Sequence, residues 1–302
     1  MASIRVAAKE FMSKLLGYRA YACFGHADAD GVTSVYIMGE FLRSRGKQVA
    51  PHIIERLSTH MEYVADKAKD ADAIVICDIG DAAEHAGQLV SLTGKPVFII
   101  DHHEAHELKL PESVYYFNVV EHELSGDRDA SCSTTVYFLI RSVGKVEDGK
   151  LPKMAIVGAC GDRQTKRGLN TYAYDDAVRL GVGVTVVAPK AYGLSGTVSA
   201  LFKSFLRSMG REHEMYIVSR ILESAGVDAR KRWSELDAKT RTKVVREVKK
   251  QLRIPPDMFS EEIIFTDENP ASEFSNPHEF SAVLNSCIRL GDLEQGAELA
   301  FA

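Results

Sequence analysis

"FGHADADGV", residues 24–32, follows a short apolar run, Tyr21-Ala22-Cys23-Phe24, with the character of a buried strand. Just as that strand runs out, the chain sets a histidine and two aspartates at every second position: His26, Asp28 and Asp30. Side chains two apart in an extended segment point to the same side, so the three can face one point. Gly31 then permits a turn, and a helical pattern follows. Carboxylates held this close repel each other, and a proton, a cation or a metal must offset the repulsion.

Outward from this stretch, strand and helix signals alternate. Residues 20–25, 48–54, 73–80, 96–101 and 114–119 read as strands, and 31–46, 58–69, 82–93, 133–144 and 152–160 as helices. Such alternation predicts an α/β fold, a parallel sheet with helices on both faces. "AIVICDIG" and "PVFIIDHH" are apolar almost throughout, as central parallel strands should be.

The acidic strand end recurs. "VICDIGD" closes an apolar run with Asp78, with Asp81 nearby; "FIIDHHEAH" closes another with Asp101, His102 and His103, with His106 further on; "VGACGDRQT" presents Asp162 after a glycine. In open α/β sheets ligands bind outside the carboxyl ends of the strands, so parallel strands would bring these clusters into one crevice. A lone strand-end aspartate is usually a turn or cap residue. Four clusters, each following an apolar strand or helix, argue instead for a metal site. A set rich in carboxylate, with some imidazole and no thiolate, suits Mn²⁺ or Mg²⁺ better than structural Zn²⁺. The number of acids predicts two ions, and spacing leaves open which residue holds which.

Bulk composition is that of an ordinary globular protein: 302 residues, 45% hydrophobic and 26% charged, a length that predicts two domains. The net charge of -5 supplies no general attraction to nucleic acid or membrane, so any nucleic-acid contact must be local. Cys23, Cys77, Cys132, Cys160 and Cys287 are scattered, odd in number and form no C-x-x-C pair; they read as reduced thiols of a cytoplasmic protein. The opening "MASIRVAAKEFMSKLLG" reads as an amphipathic helix rather than a signal peptide, and no apolar run reaches the ~18 residues of a membrane span.

Near residue 190 the character changes. "APKAYGLSGT" reads as a Gly/Pro/Ser loop, 197–253 as helices, "EEIIFTDE" as a strand and "PHEFSAVLNSCIRLG" as a helix capped by Gly291. The final "DLEQGAELAFA" has the look of a strand beginning. The expected division is a catalytic domain over 1–190, a helical linker over 191–258 and a smaller, incomplete or reduced α/β domain over 259–302. Ten basic residues, from Arg230 to Arg253, crowd the linker; with Glu235, Asp237 and Glu247 interspersed, a solvated helix face is the better reading than a wall for a phosphate backbone.

"HADADG", "CDIGD", "DHH" and "GDR", in this order, resemble the four motifs of the DHH phosphoesterase superfamily, over roughly residues 18–190. The resemblance implies a Mn²⁺-dependent phosphoesterase with two ions, Mg²⁺ being the alternative. It places His26, Asp28 and Asp78 on one ion and Asp30, Asp78, His102 and Asp162 on the other, with Asp78 bridging. Asp101 would orient this shell, His103 would meet the substrate phosphate and assist the leaving oxygen, and Arg163, beside Asp162, would reach a phosphate. No ligand position departs from the family pattern, which implies an active enzyme.

Within the superfamily, "YGLSG" at 192–196, Trp233 with the residues after it, and "SEFSNPHEFSAVLNSCIRLG" resemble archaeal RecJ-like exonucleases. That implies single-stranded DNA or RNA as substrate, and a link to the replication component GINS as a further expectation. One feature departs: the superfamily's substrate domain carries a Gly-Gly-Gly-His motif, and this chain has no Gly-Gly pair. The departure keeps two other readings open, a phosphodiesterase for short oligonucleotides or cyclic dinucleotides, and a replication-complex scaffold with little catalysis.

Overall fold

The computed structural model describes residues 2–104, 108–190, 194–270 and 272–290. His106, part of the 192–196 segment, Gly291 and the final run lie outside the described residues. Packing divides the chain into two compact units. The first takes residues up to Asp176 together with those from Ser281, and the second is Ala177–Phe280.

The chain enters through α1 (Ala2–Leu15) and then alternates: β1 (Ala20–His26), α2 (Ala29–Ser44), β2 (Gln48–Ile54), α3 (Leu57–Lys67), β3 (Ala73–Cys77), α4 (Ala82–Thr93), β4 (Val97–Asp101) and β5 (Val114–Asn118). The five strands form one sheet of order β2-β1-β3-β4-β5, all pairs parallel. After β2 the chain crosses to the other side of β1, so β1 and β3 flank the point where the strand order reverses. That is where an open α/β sheet leaves a crevice at its carboxyl ends.

Strand alternation sorts the core. Ala22, Phe24, Ile74, Ile76, Val97 and Ile99 pack with Leu57, Val64, Ala82, Ala86 and Leu89 of α3 and α4. The intervening residues, among them Cys23, Val75, Phe98 and Ile100, are equally buried on the opposite face. There Phe11 of α1 meets Phe98 edge-on at 5.6 Å. The helices α5 (Cys132–Val143) and α6 (Lys150–Gly161) pack with α2. The expected parallel sheet with helices on both faces is therefore what forms.

Two details of these elements differ from the sequence reading. The strand expected over 73–80 ends at Cys77, because Asp78 takes a left-handed backbone, φ 65°. A helix follows α6 that the sequence pattern did not announce, α7 (Asn170–Arg179).

The second unit is built on β6 (Gly183–Pro189) with α8 (Val198–Ser208), α9 (Met215–Ser224), α10 (Ala238–Leu252) and β7 (Phe259–Phe265). β6 and β7 pair antiparallel, so one ladder spans the positions, 190 and 258, where divisions were expected. Trp233 is fully buried in the core of this unit and donates its indole N–H to Val187 O at 3.0 Å. Several linker cations are engaged locally. Buried Arg241 donates to Leu236 O at 2.7 Å, Arg230 pairs with Asp228 at 2.9 Å, and Lys249 lies over the Phe259 ring. The last described helix, α11 (Pro277–Arg289), carries the residues that rejoin the first unit.

α2 leaves β1 through a very close approach. A Cβ on Gly31 would run into the backbone N and O of His26, and one on Gly25 would meet Gly31 O. Alanine in a helix gains about 1 kcal/mol over glycine, but overpacking against backbone costs about 1–3 kcal/mol. The atoms a Gly31 Cβ would strike are backbone and cannot swing aside, which puts the cost at the upper end of that range, so Gly31→Ala should destabilise by about 2 kcal/mol net, read as a lower urea midpoint at unchanged slope. A midpoint equal to or above that of the wild type would refute the close-packed exit.

Candidate metal centre

Three strand ends and one helix end bring the acidic clusters together. β1 delivers His26 as its last residue and Asp28 as the N-cap of α2, where Asp28 Oδ1 accepts from Gly31 N at 2.9 Å. His26 Nδ1 lies 2.7 Å from Asp28 Oδ2 and 3.9 Å from Asp78 Oδ2. Asp78 follows β3 in its left-handed conformation, which aspartate tolerates better than most residues. Asp101 ends β4, and Asp162 caps the end of α6.

Asp30, in the first turn of α2, is fully buried. Its carboxylate is held by the start of a different helix: Cys132 N donates to Oδ2 at 2.6 Å and Ser133 N to Oδ1 at 3.0 Å. These are unpaired N–H groups of the first turn of α5, where an anion is favoured. Sequence spacing had no means of showing this contact, since 102 residues separate the partners.

His102 is the hinge of the arrangement. Its Nδ1 faces Gly126 O at 2.8 Å. A carbonyl only accepts, so Nδ1 carries the proton and neutral His102 presents Nε2 as a lone pair. Nε2 lies 3.1 Å from Asp78 Oδ1, 3.3 Å from Asp162 Oδ2 and 3.9 Å from Asp30 Oδ2. A metal-ligating histidine has this character, its other ring N–H given to a backbone carbonyl.

Donor atoms come together in three groups, each within 4.8 Å: His26, Asp28 and Asp78; Asp30, His102 and Asp162; and Asp78, Asp101, His102 and His103. Every residue proposed as a ligand from the sequence falls in one of the three. Asp101 Oδ1 accepts from His102 N at 2.8 Å and lies 2.7 Å from His103 Nδ1. His103 is half exposed. Arg163 is exposed and left-handed, φ 58°, beside Asp162. Asp81 stands outside the three groups; it caps α3, accepting from Leu57 N at 2.9 Å and Ser58 Oγ at 2.6 Å. One residue the sequence reading did not consider reaches the site: Asn285 of α11, whose Oδ1 accepts from Ala29 N at 2.9 Å, between Asp28 and Asp30.

The electrostatics show what the cluster needs. Burial, then the neighbouring Asp30, Asp28, Asp162 and Asp101, push Asp78 far above the ordinary carboxylate range. Burial and Asp30 push Asp162 up to about 8. Burial would also raise Asp28 and Asp101, but hydrogen bonds from His26 and His103 respectively hold them below the usual value. His26 and His103 are raised in turn by those carboxylates. Burial disfavours the charged form of His102, yet Asp30 and Asp162 raise it overall. Among the described residues, the ionic partners of this cluster are histidines and no lysine or arginine. Buried carboxylates so short of positive charge fit divalent cations.

The family described as "DHH family, N-terminal domain" matches residues 21–161. Comparison with curated proteins finds no match. Among solved structures, RecJ from Thermus thermophilus, in complex with Mn²⁺, aligns at TM-score 0.53 and 16% identity. That alignment covers 99% of this chain and 34% of RecJ. CDC45 from Entamoeba histolytica aligns at TM-score 0.64 and 12% identity, covering 100% of this chain and 67% of that one. The chain thus spans about a third of the RecJ chain, and at these identities the likeness is one of fold.

The charge state has a consequence with a definite sign. Folded Asp78 and Asp162 keep protons that the unfolded chain releases near the ordinary value of 3.8, so the folded chain binds more protons at neutral pH and loses stability as pH rises. The raised histidines act the same way: their contribution is complete below about pH 6.5 and disappears as pH passes their folded values. Asp28 and Asp101, lowered, lose their contribution only in acid, below the ordinary 3.8. Chelator-treated protein should be less stable at pH 8 than at pH 5 by at least about 1 kcal/mol, and saturating Mn²⁺ should flatten that slope. Equal unfolding midpoints at the two pH values without metal would contradict the buried acid cluster. The strand ends that concentrate this charge lie within residues 21–161, the stretch that matches the N-terminal domain of the DHH family.

Proposed function

We propose that the chain is a divalent-metal-dependent phosphodiesterase, an exonuclease acting on single-stranded DNA or RNA with Mn²⁺, or Mg²⁺ in its place. One observation carries the reading: two donor groups, His26/Asp28/Asp78 and Asp30/His102/Asp162, lie side by side, joined by the 3.1 Å contact of Asp78 and His102. The first would hold one ion, the second the other, with Asp78 shared. Bound divalent ions would supply an activated water and neutralise phosphate charge.

The chain's own residues do the rest. Asp101, a carboxylate, accepts a hydrogen bond from His103 Nδ1–H and leaves Nε2 as the atom that exchanges a proton outside the cluster. Half-exposed and raised above its ordinary value, His103 is suited to contact a phosphate and protonate the leaving oxygen. Arg163, exposed beside Asp162, would meet a phosphate of the strand. RecJ from Thermus thermophilus, in complex with Mn²⁺, shares the fold and supports the metal-dependent reading; the missing Gly-Gly pair favours keeping a second reading, a replication-complex partner with little catalysis.

End-labelled single strands, from dinucleotides to long oligomers of DNA and RNA, should be shortened progressively with Mn²⁺, and Asp78→Ala should reduce the rate at least about 100-fold, more than loss of a supporting residue costs. Cleavage confined to the shortest substrates would replace the exonuclease with an oligonucleotide phosphodiesterase. No metal-dependent cleavage of any substrate would sink the enzymatic reading and favour the partner. His103→Gln should lower turnover about 10²–10⁴-fold while Mn²⁺ uptake persists; unchanged turnover would remove His103 from the proton transfer.

A further inference from the structure

Two buried side-chain amides, neither of them in the acid cluster, join the two halves of its second donor group. Gln164 is 2% exposed and Asn170 fully buried. Gln164 Nε2 donates to Gly126 O at 2.7 Å and to Ala130 O at 3.2 Å. Gly126 O is the same atom that accepts from His102 Nδ1–H. Gln164 Oε1 accepts from Asn170 Nδ2 at 3.0 Å, and that nitrogen also donates to Thr165 O at 3.0 Å. Asn170 Oδ1 accepts from Thr134 Oγ1 at 2.6 Å and from Ser131 N at 3.3 Å. Ser131 is the N-cap of α5, whose next two N–H groups hold Asp30.

Both amide orientations are forced, because Gly126 O, Ala130 O and Thr165 O can only accept. Gln164 uses both of its hydrogens and its oxygen; Asn170 uses both hydrogens and accepts twice. The chain of bonds runs unbroken from His102, behind β4, to the N-terminus of α5 and so to Asp30, which sits on α2. Without it, the imidazole and the carboxylate are set by unrelated elements. Buried networks satisfied to this degree specify one arrangement, while a single missing member leaves costly unpaired groups.

We infer that Gln164 and Asn170 are positioning residues, which fix the His102 ring and the α5 N-terminus together so that His102 Nε2 and the Asp30 carboxylate face one divalent ion. The inference rests on the metal site proposed above. The loop carrying Gly126 has other ties: Ser125 N donates to Asp129 Oδ2 at 3.1 Å, and Arg167 pairs with Asp129 at 2.7 Å. Removing the Gln164 amide therefore disturbs the aim of the ligands more than the course of the chain.

Mn²⁺ titration calorimetry on the chelator-stripped full chain tests this. Gln164→Met keeps the length of the side chain without its hydrogen bonds, and Asn170→Asp keeps shape while removing the donors, so whichever variant folds gives the readout. Both should bind Mn²⁺ roughly 10–100-fold more weakly than wild type, with turnover recovering at saturating Mn²⁺. Leu15→Ala, fully buried on α1 and outside the network, should lose thermal stability yet keep its Mn²⁺ affinity. Variants that are folded and bind Mn²⁺ as wild type does would overturn the inference and leave the metal site standing. A wild-type chain that takes up no Mn²⁺ would overturn both.

Discussion

Repulsion among buried carboxylates is the constraint around which the first unit is organised. Donor atoms of Asp30 and Asp162 lie within 4.8 Å of each other, and Asp78 is packed against both through His102. Two unit charges at that separation, at an effective dielectric near 20, repel by about 3 kcal/mol. A domain is stable by only about 5–15 kcal/mol. Sequence changes that relieved the repulsion would be easy, and the chain instead surrounds the acids with groups that accommodate them. Two N–H groups of α5 hold Asp30, imidazoles stand against Asp28, Asp78, Asp101 and Asp162, and burial with mutual repulsion lifts Asp78 and Asp162 above the usual carboxylate range. Divalent ions would meet the same need with more charge in less space.

Topology makes the concentration possible. Because all five strands are parallel, their carboxyl ends share one edge, and the reversal of order at β1 and β3 opens a gap there. The left-handed turn at Asp78 ends β3 two residues before Gly80 and directs the carboxylate back among the others. Strained backbone of this kind persists where surrounding structure over-determines it. Here Asp78 N is tied to Ile100 O at 3.0 Å, next to Asp101, so the two strand ends position one another.

Much of this was legible in the sequence, for physical reasons. Strands buried on both faces read as apolar runs, and charged residues where such runs stop are conspicuous, which is why the five-stranded sheet and its acidic ends could be read. β6 was missed because "GVTVVAP" runs directly into a Gly/Pro/Ser loop, and its partner β7 lies about seventy residues on; antiparallel pairing at that distance leaves no local periodicity. α7 was missed because the Gly and Lys/Arg residues before it resemble an open loop. In the site, ligand types show in the sequence and their supports do not. Gly126 O, the α5 N–H groups, Gln164 and Asn285 act through backbone atoms or plain amides, which carry no compositional mark. The left-handed backbone at Asp78 is likewise silent in the residue type.

The account turns on whether the two donor groups around Asp78 take up two ions. Crystals grown with Mn²⁺, with anomalous scattering recorded at the manganese edge, test this most directly. The account predicts two peaks roughly 3.5–4 Å apart, one beside His26 and Asp28, the other beside Asp30, His102 and Asp162, with Asp78 between them. No peak at the carboxyl ends of the strands, or a single one remote from Asp78, would contradict it.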